Sequence, residues 1–121
     1  MGDTFQDEWE SDIPREFSVG TLVWELVDVQ NTKWEGNRYT YRHKDRNVDH
    51  EWELIVRSLS PRSVLLVGEI CIRDRTNRRT VDLTVTFEEE WNDFEPCARE
   101  LAVRFEATRA ALDRAFVGSA R

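Results

Sequence analysis

Residues 64–72 read VLLVGEICI, and the assignment of this stretch decides the fold. Val64, Leu66, Ile70 and Ile72 fall in one alternating set and Leu65, Val67 and Cys71 in the other, with only Gly68 and Glu69 interrupting. Its length, its β-branched content and the turn-forming SPRS and RDRTNRR on either side predict a strand rather than a buried helix. A strand apolar on both faces belongs in the middle of a sheet, with cover on each side.

Working outward, residues 17–30 (FSVGTLVWELVDVQ) read as one long strand, also apolar on both faces. Gln30 to Lys33 supplies turn chemistry, after which Tyr39 and Tyr41 alternate with Arg38, Thr40 and Arg42. Trp52, Leu54 and Val56 then alternate with Glu53, Ile55 and Arg57, and Val81, Leu83, Val85 and Phe87 with Asp82, Thr84, Thr86 and Glu88. The spacing predicts strands over about 17–30, 34–43, 51–59, 64–72 and 80–89.

The remainder predicts a helix over about 94–117, with Asp93 as N-cap, Pro96 in the first turn and Gly118 as C-terminal cap. Phe94, Ala98, Leu101, Phe105, Thr108, Leu112 and Ala115 make its apolar face, and Glu95/Arg99 and Glu100/Arg104 are spaced for ion pairs along it. A narrower seam of Val103, Ala107, Ala110 and Val117 carries small side chains. Short connections favour an α+β domain over 17–118, in which a five-stranded antiparallel meander carries one long C-terminal helix on one face. Residues 1–16 form an acidic segment, either a tail or a short helix presenting Phe5, Trp9 and Ile13.

With 121 residues, 40% hydrophobic and 34% charged, the chain fits one compact domain, and no apolar run approaches a membrane span. A cytoplasmic location is expected, with Cys71 and Cys97 as small buried hydrophobes rather than a disulfide framework. A net charge of −7 argues against a protein that coats nucleic acid.

No phosphate loop, paired CxxC, HExxH or nucleophile elbow occurs, so no catalytic residue, metal site or cofactor is expected. Tyr41, His43, Asp45, Asp49 and His50 flank one hairpin loop, but the polar residues between them do not fix ligand spacing, and a solvated hairpin explains them more simply. Glu25 and Glu69 each interrupt an apolar strand face and need a cation there, with Arg38 and Arg57 as candidate partners.

Arg42, Lys44, Arg46, Arg73, Arg75, Arg78 and Arg79 fall at one end of the meander and form a basic pole for an anion or partner. Ile55, Leu65, Val67 and Cys71 are expected on the sheet face the helix leaves open, as an interface for a homodimer or a protein partner. The reading is a small non-enzymatic binding or adaptor protein, such as a regulator, chaperone-like factor or inhibitor. The alternative is a small-ligand-binding domain or enzyme with a pocket between sheet and helix, lined by Tyr39, Tyr41, Trp52, Glu25 and Glu69.

Overall fold

The computed structural model describes residues 13–32, 34, 36–44, 50–60, 65–76 and 79–119, with backbone only at 76, 79 and 116–119. Six strands follow one another in the sheet in chain order: β1 (Glu16–Val19), β2 (Leu22–Thr32), β3 (Gly36–His43), β4 (His50–Ser58), β5 (Leu66–Thr76) and β6 (Arg79–Trp91). Every neighbouring pair is antiparallel, and α1 (Phe94–Ser119) packs on one face. The α+β meander with its C-terminal helix is as expected, but the sheet has six strands rather than five.

The extra strand comes from the stretch read as one strand over 17–30. Gly20 adopts φ 62° and reverses the chain, pairing Val19 with Leu22 and Phe17 with Trp24. That left-handed conformation costs an L residue energy that glycine avoids. Alternation continues on both sides of the turn, which hides it in the hydrophobic pattern.

Boundaries elsewhere shift modestly. Residues 73–79, expected as a loop, are strand on both sides of positions 77 and 78. The helix runs past Gly118 to Ser119. Of the N-terminal segment, residues 1–12, including Phe5 and Trp9, lie outside the described residues, whereas Ile13 packs against the helix-side core.

Register fixes which side chains meet the helix. Leu26, Tyr41, Leu54 and Ile70 form one row across the sheet's covered face, Tyr39 and Val56 pair in the next, and Trp24 lies one alternation the other way, opposite His43. They pack against Phe94, Cys97, Ala98, Leu101, Ala102 and Phe105, as the helix periodicity anticipates. Both expected helix pairs form, Glu95–Arg99 at 2.8 Å and Glu100–Arg104 at 3.0 Å. Towards its end the helix face fades, with Thr108 and Leu112 half-buried and Ala115 exposed.

Two features set how α1 lies. Gly68 on the covered face makes room for Leu101, since a side chain there would stand 2.5 Å from Leu101 Cδ2. Arg104 grips Glu89 on β6 through two guanidinium nitrogens, and this bonding holds the Glu89 carboxyl below its usual range.

Candidate functional site

The residues proposed to line a pocket divide between the two faces of the sheet. Tyr39 and Tyr41 lie under the helix, 3% and 0% exposed, with ring centroids 5.0 and 6.3 Å from that of Phe94. The Tyr41 hydroxyl donates to the Pro14 carbonyl at 2.6 Å, and burial, reinforced by the Glu95 carboxylate, pushes the phenol well above its ordinary range. Glu25 and Glu69 stand on the opposite face, where Glu25 registers with Arg42, and Arg57 donates to Glu69 at 2.9 Å. Five residues on two sides of one sheet do not line a common pocket. The Glu69 partner is the Arg57 that the sequence nominates.

Trp52 belongs to a different group, built where β3, β4 and β5 meet the second half of α1. Asp74, 6% exposed, accepts from Trp52 Nε1 at 2.5 Å and Arg109 Nη1 at 2.7 Å, and its Oδ1 lies 3.0 Å from His50 Nδ1. Register explains the convergence, because His50 lies opposite Asp74 and Trp52 opposite Ile72, one alternation apart on the covered face. The Arg109 guanidinium lies 4.6 Å from the Trp52 ring centre, with His43 and His50 rings at 5.1 and 5.2 Å. Asp74 thus satisfies donors from β4 and α1 at once, as a buried carboxylate must. Chemically, an imidazole held through Nδ1 by a carboxylate is a general-base geometry.

His43 and His50 from the hairpin cluster are therefore gathered around Trp52, while Asp45 and Asp49 lie outside the described residues. Among the described residues no three His, Cys, Asp or Glu side chains converge as metal ligands. Sequence reasoning missed Asp74 and Arg109 because their partners lie 22 to 35 residues away along the chain.

Across the open face run paired charges. Arg42 meets Glu53 at 2.7 Å, and Arg73 meets Glu51 at 3.1 Å and Asp82 at 3.5 Å. The expected interface residues lie among them: Ile55 is 1% exposed, bordered by the Arg57–Glu69 pair, and Leu65, Val67 and Cys71 are half-buried. Alternation suggested a continuous apolar patch, but the register interleaves these side chains with ion pairs.

Three members of the basic pole are likewise neutralised. Arg42 and Arg73 have acidic partners, and Lys44 meets Glu16 at 2.9 Å. Arg75 is exposed on β5, and Arg46, Arg78 and the Arg79 side chain lie outside the described residues.

A surface that the sequence reading passed over lies at the other end of the sheet. Trp34, between β2 and β3, is 81% exposed, and Leu59 and Val29 are 46% and 44% exposed. The two turns adjoin, since Asn37 N–H donates to Ser58 Oγ at 2.7 Å. A tryptophan inside the turn-forming QNTKWEG was the available signal.

No family model, curated protein or solved structure matches this chain. The fold defines it as an α+β meander domain in which, among the described residues, no helix is long and apolar enough to cross a membrane.

Proposed function

We propose that this chain is a non-enzymatic binding or adaptor protein acting through protein–protein contacts, as a homodimer or with a protein partner, in the manner of a regulator, chaperone-like factor or inhibitor. The observation that carries this reading is the distribution of large apolar side chains. Beneath the helix they are nearly solvent-free, whereas Trp34, Leu59 and Val29 stand in water at one end of the sheet. A highly exposed tryptophan at the same end of the sheet as exposed aliphatic side chains is the composition of an interface hot spot. Two free cysteines fit a cytoplasmic protein.

Purification from the native cells, with mass measured by light scattering, tests the reading. An assembly heavier than the 14.3 kDa chain is expected, and replacing Trp34 with Ala together with Leu59 with Ser should shrink a hetero-assembly at this surface. A lone monomer with no stoichiometric companion overturns the reading.

The second reading, a small-ligand-binding domain or enzyme, rests on the His50–Asp74 pair. Its test is chemical-shift mapping with a fragment library, in which saturable shifts at His43, His50 and Trp52, lost in His50→Gln, would favour it.

A further inference from the structure

The two edges of the sheet differ. β1 spans four residues, and its Ser18 carbonyl accepts from Arg99 Nη1 of the helix at 3.3 Å. β6 spans thirteen residues and, among the described residues, pairs on one side only. A long edge with unpaired backbone groups is a template for another strand unless something blunts it. Among the described residues the irregularity falls at one end: the register with β5 shifts between Gly68/Phe87 and Leu66/Trp91, where Glu88, Glu89 and Glu90 fall. Thr80 to Phe87 remains regular and flat-patterned, with Val81, Leu83, Val85 and Phe87 half-buried on the helix side and Thr80, Asp82, Thr84 and Thr86 exposed on the other.

We propose that β6 pairs antiparallel with β6 of a second copy of this chain, about a two-fold axis at Thr84, so that one sheet runs through both copies. This deepens the adaptor reading by naming the partner and the surface of the homodimer. A two-fold axis perpendicular to the sheet keeps both helices on one side, and it requires residues of like parity to face each other. Centring on Thr84 sets Leu83 opposite Val85, Val81 opposite Phe87 and Asp82 opposite Thr86. All four apolar side chains then meet one another. Centring on Val85 would oppose Asp82 to Glu88 twice, a like-charge clash. Centring on Leu83 would leave Phe87 with no apolar residue opposite it. The half-burial of the four apolar residues in a single copy leaves area that the second copy covers.

The test uses the full chain, purified alone, by light scattering over a concentration series. Thr86 lies on the exposed face away from the core, so substitutions there leave the helix packing untouched. Thr86→Asp faces Asp82 of the second copy twice and should weaken dimerisation at least tenfold. Thr86→Lys should tighten it, and it guards against misreading a folding defect in the aspartate variant. In the wild-type dimer, alternate amides between Thr80 and Phe87 should gain hydrogen-exchange protection with concentration. A wild-type chain that stays monomeric at several hundred micromolar overturns the self-pairing, and so does a dimer indifferent to both substitutions. The adaptor reading is judged separately, on the assembly recovered from cells and on the Trp34 surface between β2 and β3.

Discussion

Gly68 faces α1 where Leu101 descends onto the sheet, and the absence of a side chain there sets the depth of the helix. In Gly68→Ala the new methyl meets three atoms of a leucine that is only 2% exposed, so the leucine must shift in a closed core. The expected cost is about 1–3 kcal/mol in urea denaturation. Adding Leu101→Ala should recover part of that cost despite the core volume lost, and simple additivity of the two changes would refute the close-approach account. Trp24 marks a different cost at the same level. Its Nε1 is buried with no hydrogen-bond partner, and what retains it is packing: its ring meets Phe105 edge-on at 4.9 Å between centroids. Both residues sit within strands whose alternation the sequence shows plainly. Neither the glycine's neighbour nor the orphaned indole nitrogen is visible there, because both depend on an element far along the chain.

The helix is held to the sheet differently in its two halves. Phe94 to Phe105 is anchored by apolar burial, while beyond Phe105 the polar bonds of Arg109 to Asp74 take over as the apolar face fades. Replacing Asp74 with Ala removes the acceptor of the Trp52 indole N–H and the partner of the His50 imidazole, and leaves Arg109 only Asp113 at 3.4 Å. A loss of about 2–3 kcal/mol is expected, moderated because Arg109 and His50 are partly solvated. Amide exchange should accelerate first over residues 106–112. Uniform acceleration across the whole helix, with no preference for its second half, would contradict this division. Helix start, apolar face and both i,i+4 pairs were legible from spacing, since each is a local consequence of the helical repeat.

At the scale of the whole molecule, burial makes several groups favour their protonated forms on folding, Cys71 among them. Burial pushes the Cys97 thiol from 9.0 up to about 12, and the Tyr41 phenol also rises. Because the folded state binds these protons more tightly, their contribution is intact below the unfolded pKa and is lost as pH climbs through the raised values. Stability should therefore fall by roughly 1 kcal/mol per pH unit between about pH 9 and 12. Cys97→Ala should flatten the slope when denaturation is measured across that window, and an unchanged slope would show that other groups govern the alkaline transition.

The sequence by itself determined the antiparallel meander and the C-terminal helix with its apolar face, because each follows from a period of two or 3.6 residues and from short connections. It did not reveal the turn at Gly20, since a two-residue reversal leaves alternation intact on both sides, and so five strands were read where there are six. Only the tertiary structure decided that Tyr39 and Tyr41 lie on the opposite side of the sheet from Glu25 and Glu69. It alone brought Asp74 to Arg109 and wove charges among Ile55, Val67 and Cys71. These are matters of register and of contacts across long sequence separations, and a slip of one residue in pairing would reverse every one of those faces.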